Sequence, residues 1–235
     1  MRRHSWASVV ALVMGTTFLV APDRAWSAVP PGAIDAVQAG GLQAALDALP
    51  ATGGTTFIPA GRHVLAKPFR KRLQEGQHLF LVGEGRASVL VNENREGQEL
   101  LHIVGIVGQS WPDLKITIRD LTFLGNHQSG DGLVVDHPND TMIDACFFQG
   151  HGGKAIYFKN HGTNATCRDC WLRDCKRGLY AENVHHLTIH GVQTRSLKDG
   201  QEQAEQIYLD RNCREVRIVN NHLAYGQNEA IILDG

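Results

Sequence analysis

The hydrophobic residues in the second half of the chain recur at a nearly constant interval. Five short segments have apolar residues at their first and third positions, and they begin at Leu133, Ile156, Leu179, Ile207 and Ile231. The intervals between these starts are 23, 23, 28 and 24 residues. Alternation with a period of two is typical of a β-strand, and self-similarity at this interval indicates a solenoid.

A second pattern follows each of these segments or precedes the first. Two inward-type residues three positions apart enclose two polar or small residues at 118–123, 143–148, 167–172, 189–194 and 218–223. Such a pattern indicates two strands that meet at a tight corner. We therefore expect an all-β fold, a single-stranded right-handed parallel β-helix with about 23 residues per coil and three short strands in each coil.

The N-terminal part of the mature chain has a different pattern. Leu42, Ala45, Leu46 and Leu49 follow the spacing of one helical face, and Pro50 ends the run. A solenoid leaves strand edges and apolar core open at its ends unless another element covers them. The sequence predicts that this short helix caps the first coil.

The first 28 residues have the pattern of a signal peptide. Arg2 and Arg3 precede an apolar stretch at 9–20, and small residues at Ala25 and Ser27 fit a cleavage site near Ala28. Twelve apolar residues fall short of the ~20 that span a bilayer. We expect a signal peptide at 1–28, a β-helix domain at 29–235, a secreted or periplasmic location, and no membrane span after cleavage.

Charge and cysteine content narrow the class further. Charged residues make up 20% of the chain and the formal net charge is −1, so we expect no nucleic-acid partner. The five cysteines include Cys146 and Cys170, which occupy one inward position of the second pattern. Buried core thiols are the simplest interpretation, and a disulfide between these two is the alternative.

Two stretches near the N-terminus resemble a known group of proteins. Gly-Gly-Thr-Thr-Phe-Ile-Pro-Ala-Gly at 53–61 follows the predicted helix, and Leu-Val-Gly-Glu-Gly begins at Leu81. These motifs are similar to the N-terminal part of pectate-lyase-superfamily proteins, the pectin lyase-like, rhamnogalacturonase- and epimerase-type β-helices. The Asp-Gly-x-x-Asp-Asp-Thr stretch usual before the helix is missing here. The resemblance implies the fold and substrate binding along the first strand face, and leaves the reaction open.

The register of the repeat places two columns of side chains on the outer face of the first strand. Tyr157, Tyr180 and Tyr208 form one column over three consecutive coils. The second column is charged and consists of Asp136, Lys159, Glu182, Asp210 and Asp234. Aromatic rings beside charges suit a groove that binds acidic polysaccharide. The competing interpretation is an ordinary polar strand end in which tyrosine was selected for its β-propensity.

Two reactions are compatible with these charges. For glycoside hydrolysis, Glu182, Asp210 and Asp234 supply carboxylates about 5 or about 10 Å apart, and the wider pair suits an inverting mechanism.

For β-elimination on a uronate, Lys159 would act as the base, and Lys154 or Arg177 would pair with the substrate carboxylate. Asp136, Glu182 and Asp210 would then be candidate ligands for Ca²⁺, which prefers hard oxygen donors.

Other features were weighed against simpler explanations. The insertion at 195–206 lengthens one coil and is either part of the groove or a tolerated surface loop. His137, His161 and His185 fall in turns after the first strand and are interpreted mainly as turn residues. Gly150-His151-Gly152 resembles a motif of polygalacturonase-like hydrolases, but its companion aspartates are missing.

The leading hypothesis is an exported polysaccharide lyase or glycoside hydrolase that acts on uronate-containing polysaccharide. The alternatives are a non-catalytic glycan-binding or cell-envelope β-helix protein and a polysaccharide epimerase. The repeat runs to Asp234 with no capping element after it. We therefore expect either a truncated sequence or association with another chain through this end.

Overall fold

The computed structural model describes residues 29–65, 67–108, 112–196, 204–224, 226 and 229–234, and the predicted signal peptide lies outside them. The described chain winds into a single-stranded parallel β-helix whose coils contribute to three sheets. Within the described residues, no helix is long and apolar enough to cross a membrane. The predicted fold is confirmed.

Sheet I contains the predicted first strand of each coil. Its strands are β4 (Phe69–Arg72), β7 (Leu101–Val104), β10 (Leu133–Asp136), β13 (Lys154–Lys159), β16 (Arg177–Ala181), β20 (Ile207–Leu209) and β23 (Ile231–Leu233). The first residues of the predicted segments pair in register across all five coils from Leu133 to Ile231. The same register extends back to Leu101 and Phe69 at intervals of 32 residues, so the first coils are longer than the predicted 23.

Sheet II follows sheet I in every coil. Its strands are β1 (Ile34–Asp35), β2 (Gly53–Ile58), β5 (His78–Gly83), β8 (Ile116–Arg119), β11 (Asn139–Asp144), β14 (Gly162–Arg168), β17 (Val184–His185), β18 (Thr188–His190) and β21 (Arg217–Val219). Sheet III completes the coil. Its strands are β3 (Gly61–Leu65), β6 (Ser88–Asn92), β9 (Thr122–Leu124), β12 (Phe147–Gln149), β15 (Trp171–Arg173), β19 (Gln193–Arg195) and β22 (His222–Leu223).

A single residue with positive φ forms the corner between sheets II and III. These corner residues are Asp120, Ala145, Asp169, Gly191 and Asn220, with φ between 50° and 65°. Aspartate, asparagine and glycine tolerate this left-handed conformation, whereas alanine does not have that preference. The predicted two-residue bend is therefore confirmed, and four of its five corner residues suit it.

The inward side chains form continuous columns in the core. The predicted inward residues of sheet I from Leu133 to Leu209 are buried, and Phe123 stacks on Phe148 with ring centroids 4.5 Å apart. Cys146 and Cys170 lie in this core as free thiols, as the simpler interpretation predicted. Each inward column is covered only by the coils beside it, which is the basis of solenoid stability.

The predicted capping helix is α1 (Leu42–Asp47), with a 3₁₀ turn at Gly85–Ala87 elsewhere. Leu42, Ala45 and Leu46 are buried, and α1 packs against β2 and β4. The Nζ of Lys71 donates to the Leu46 carbonyl over 2.7 Å, which ties the cap to the edge of sheet I.

Candidate active site on sheet I

The predicted tyrosine column is present on sheet I. Tyr157, Tyr180 and Tyr208 are in-register partners on β13, β16 and β20. Tyr157 and Tyr208 are half-buried, but Tyr180 is only 7% exposed. The column is therefore partly covered by its own neighbours.

Stacking within the column decides how these rings meet a ligand. The rings of Tyr180 and Tyr208 are stacked with centroids 4.7 Å apart and planes 17° from parallel. The Nζ of Lys154 lies 3.9 Å from the ring centroid of Tyr157 and 5.4 Å from that of Tyr180. Because the ring faces contact one another and Lys154, the column presents hydroxyl groups and ring edges rather than flat faces for pyranose stacking.

Each tyrosine hydroxyl donates to a carboxylate. Tyr157 donates to Glu182 over 2.6 Å, Tyr180 donates to Glu205, and Tyr208 donates to Asp234 over 2.9 Å. Burial, followed by the hydrogen bond to the carboxylate, raises the pKa of Tyr157 and of Tyr180 well above the usual value. At neutral pH these phenols are proton donors, and Glu182 and Asp234 are held as their acceptors.

Glu205 belongs to the predicted insertion, of which residues 197–203 lie outside the described part. The Nε of Arg177 lies 3.1 Å from Glu205, the acceptor of Tyr180. The end of the insertion thus contributes a carboxylate to sheet I, as the groove interpretation expected.

Lys154 and Arg177 lie at the starts of their strands. Lys154 has an acidic partner, Asp131, whose Oδ2 is 3.8 Å from Nζ and whose Oδ1 accepts the Lys154 backbone N–H over 2.7 Å. Both cations are thus placed at one edge of sheet I, beside the tyrosines.

A second group of polar residues surrounds Asp136 at the other edge of sheet I. The Oδ2 of Asp136 lies 3.8 Å from His102 Nε2 and 3.9 Å from Lys159 Nζ. Its Oδ1 accepts a hydrogen bond from Asn160 Nδ2 over 2.5 Å and lies 2.7 Å from His137 Nδ1. These five residues are called the Asp136 cluster below.

Two histidine nitrogens in the Asp136 cluster are buried without a hydrogen-bond partner. His102 Nε2 is too far from Asp136 for a hydrogen bond, and His137 Nδ1 is close to Asp136 but poorly aligned with it. Buried polar atoms normally have a partner, so an unpaired pair facing one carboxylate marks a place where another group can bind.

His102 is oriented by its own acidic neighbour. Its Nδ1 lies 3.3 Å from Glu99 Oε1, and Glu99 pairs with Arg70 over 2.8 Å. Although burial raises the pKa of Glu99, a backbone hydrogen bond, Arg70 and His102 together lower it below its usual value. An ionised Glu99 holds the proton of neutral His102 on Nδ1, which leaves a lone pair on Nε2.

Asp210 differs from the other predicted catalytic carboxylates. It accepts hydrogen bonds from the backbone N–H groups of Asn183, over 2.8 Å, and Asn212, over 3.1 Å. Although burial raises its pKa, these hydrogen bonds and those from the Asn212 and Cys213 side chains lower it overall. A carboxylate stabilised in its ionised form organises a turn better than it donates a proton.

The predicted calcium ligands have separate partners. Asp136 lies in its cluster, Glu182 accepts from Tyr157, and Asp210 accepts from its turn. In the part of the chain that the structure describes, no three His, Cys, Asp or Glu side chains converge as a metal site. The calcium site stays a prediction.

Sequence reasoning missed Glu99, His102 and Asp131. His102 pairs in register with Val134, so it occupies the tyrosine column one coil earlier. The interval of 32 residues to that coil hid it from a search at 23. His137 was assigned to a turn, which is correct, but its ring also reaches the Asp136 cluster.

Comparison with known proteins agrees with the observed architecture. The family model for the right-handed β-helix region matches residues 102–235, so the chain belongs to this family. No curated protein matches the sequence significantly.

Two solved structures illustrate the shared fold. The alginate lyase from Paenibacillus sp. str. FPU-7 aligns with a TM-score of 0.61 at 16% identity, covering 80% of this chain and 64% of the lyase chain. The A-module of the Azotobacter vinelandii mannuronan C-5 epimerase AlgE4 aligns with a TM-score of 0.46 at 16% identity, covering 85% and 74%. The chain thus spans less than two thirds of the alginate lyase, and the fold implied by the pectate-lyase-superfamily motifs is confirmed.

Proposed function

We propose that this protein is an exported lyase that cleaves uronate-containing polysaccharide by β-elimination on sheet I. The observation that carries the proposal is the Asp136 cluster, with its unpaired His102 Nε2 next to Lys159. Elimination needs a base for the proton beside a carboxylate and a cation to neutralise that carboxylate. The shared fold of an alginate lyase supports this choice of substrate.

The roles within the cluster follow from its contacts. His102 Nε2 takes the proton from the carbon beside the uronate carboxylate, while Lys159 balances the charge of that carboxylate. A carbon–carbon double bond forms as the bond to the glycosidic oxygen breaks, and the imidazolium returns its proton to that oxygen. Lys159 therefore neutralises charge in this proposal, in place of the base role predicted from sequence.

Elimination is preferred to hydrolysis because of the partners of the acids. Glu182 and Asp234 each accept a tyrosine hydroxyl, and Asp210 is held ionised by its turn. An inverting hydrolase needs one carboxylic acid that donates a proton and one carboxylate that activates water. The tyrosine column and the cations Lys154 and Arg177 would instead contact the hydroxyls and carboxylates of neighbouring sugars.

The reaction is tested on alginate and pectate. We expect release of an unsaturated uronate, seen by its ultraviolet absorbance, together with new reducing ends. His102→Gln and Lys159→Met should each lower kcat/KM by about 10²- to 10⁴-fold. His185→Gln is the matched control because His185 contacts His161 outside the cluster, with ring centroids 5.3 Å apart.

The other outcomes separate the alternatives. Reducing ends without the absorbance would indicate hydrolysis, and altered uronate stereochemistry in an intact polymer would indicate an epimerase. Binding without turnover across the panel would indicate a glycan-binding protein. An active His102→Gln variant would exclude the proposed base.

Calcium dependence and export complete the proposal. If Asp136, Glu182 and Asp210 bind calcium during turnover, a chelator should abolish activity and added Ca²⁺ should restore it. Export predicts that protein recovered from the periplasm or medium begins near residue 29.

We also propose that strands of another chain add to the end formed by β21, β22 and β23. Val219, Ile231 and Leu233 are 44%, 39% and 70% exposed there. Apolar residues on unpaired strands favour association. Light scattering should then show a species larger than the monomer, whereas a monomer at all concentrations would contradict this association.

A further inference from the structure

An aromatic and cationic patch lies on the outer face of sheet III, separate from the sheet I site. Phe147 on β12 and Trp171 on β15 are in-register partners, with ring centroids 6.4 Å apart and planes tilted by 49°. Trp171 is 38% exposed, and Phe147 is half-buried. Their register makes them neighbours on consecutive coils, about 5 Å apart along the solenoid.

The guanidinium of Arg86 lies over both rings. Its Cζ is 4.7 Å from the centroid of Phe147 and 4.9 Å from that of Trp171. Cation–π contacts with two rings hold the planar guanidinium in place without occupying its N–H donors. In the described ranges no carboxylate lies within ion-pair distance of Arg86, although its side chain is exposed. The patch thus presents a positioned cation whose hydrogen-bonding edge faces solvent.

This arrangement matches the chemistry of one ligand class. A planar guanidinium binds a carboxylate through two parallel hydrogen bonds. An indole beside it offers an apolar surface to a pyranose ring. Gln149 and Gln193 flank the two aromatic residues on sheet III and offer amide groups to sugar hydroxyls. A polymer of uronates carries a carboxylate on each sugar, so it meets the cation and the aromatic surface together.

We propose that Arg86, Phe147 and Trp171 form a second, non-catalytic binding surface for uronate-containing polysaccharide. It rests on the proposed function for the nature of the polymer, but it uses a different sheet and different residues. Such a surface would hold the protein on its polymer while sheet I engages another stretch of chain. Two attachment points raise the effective concentration of substrate at the site.

The test is affinity electrophoresis in gels that contain alginate, pectate or a neutral glucan. Arg86→Gln and Trp171→Ala should each weaken retention by alginate or pectate at least about fivefold, from the loss of a desolvated cation contact or of ring stacking. Arg86→Lys keeps the charge but loses the planar fork, and we expect it to bind less well than the wild type. Arg217→Gln, which removes an exposed arginine from sheet II, is the matched control for net charge and should leave retention unchanged.

The outcomes distinguish the two proposals. If wild-type protein is retained by neither uronate polymer, the proposed function fails. If the wild type is retained and Arg86→Gln is retained equally, the sheet III surface is wrong while the sheet I site stands. An equal loss in Arg217→Gln would assign retention to net charge and would also overturn the surface. Should Trp171→Ala unfold, Arg86→Gln decides alone because the Arg86 side chain is exposed.

Discussion

Ala145 is the residue that fits its corner least well. It has φ of 50° and is exposed, while the equivalent corners are Asp120, Asp169, Gly191 and Asn220. The left-handed conformation costs a residue with a Cβ roughly 1 kcal/mol or more, and asparagine reduces that cost through local hydrogen bonds. Ala145 therefore stores strain that its neighbours in the corner column avoid.

Replacing Ala145 should stabilise the protein. We expect Ala145→Asn to raise the free energy of unfolding by about 0.5–1 kcal/mol, or the Tm by about 2–4 °C. Ala87→Asn is the control, since Ala87 is an exposed alanine outside the positive-φ corners. Equal effects of the two changes in denaturant unfolding would show that the corner conformation is not the cause.

His151 makes the fold sensitive to acid. It is fully buried, its Nε2 lies 3.1 Å from the Phe123 carbonyl, and burial lowers its pKa from 6.5 to about 4. The unfolded chain therefore binds a proton at a pH where the folded chain does not, so stability falls as pH drops from 6.5 towards 4. One such group accounts for a loss of about 3 kcal/mol.

Unfolding measured at several pH values tests this histidine. His151→Gln should lower stability at neutral pH but remove most of the dependence on pH between 6.5 and 4. His185→Gln is the control because His185 is more accessible to water, although burial also lowers its pKa somewhat. An unchanged pH slope in His151→Gln would assign acid sensitivity to other groups.

At the scale of elements, the tyrosine column couples β13, β16 and β20 through side chains. Hydrogen bonds to Glu182 and Glu205 stabilise the neutral phenols of Tyr157 and Tyr180. Because their folded pKa values are raised, the stability they contribute is present below the usual value of 10.0 and is lost as pH rises above it.

Alkaline titration followed by phenolate absorbance tests this coupling. We expect Tyr157 and Tyr180 to ionise only together with unfolding, and Tyr180→Phe to reduce the amplitude of that late step. Phenols that ionise near 10 in the folded protein would contradict the hydrogen bonds to Glu182 and Glu205.

The sheet I strands also show where prediction from sequence succeeds. From Leu133 to Leu209 the alternation fixes which residues are inward, since a shift of one residue would expose every core side chain. Glu205 and His102 were not found in this way. The first lies in an insertion, and the second lies in a coil whose length breaks the period.

Side-chain orientation was also beyond the pattern. Register alone placed Tyr180 and Tyr208 on the outside, but their mutual stacking depends on contacts between rings. The same limit applies to Arg86, whose guanidinium reaches two rings that are distant in sequence.

At the scale of the whole molecule, stability should vary along the solenoid. The inward residues of β10, β13 and β16 are buried between neighbouring coils, whereas Ile231 and Leu233 of β23 are exposed. Coils held only by nearest neighbours open most easily where one neighbour is missing. The ends of the solenoid and its middle therefore differ in local stability.

Hydrogen exchange measures this gradient. In the 235-residue chain, amides of β21 and β23 should exchange at least tenfold faster than those of β10, β13 and β16. Uniform exchange along the solenoid would show global unfolding instead. Slow exchange confined to high protein concentration would support association through the C-terminal end.

The in-register stacking of coils has a further, evolutionary consequence. Each coil adds one residue to every column on all three sheets, so duplication of one coil-length segment preserves the core and the corners. Such a duplication would extend the sheet I groove and the sheet III patch together by one strand spacing, about 5 Å. Gain and loss of coils in related genes thus provides a heritable way to fit the protein to longer or shorter stretches of polymer.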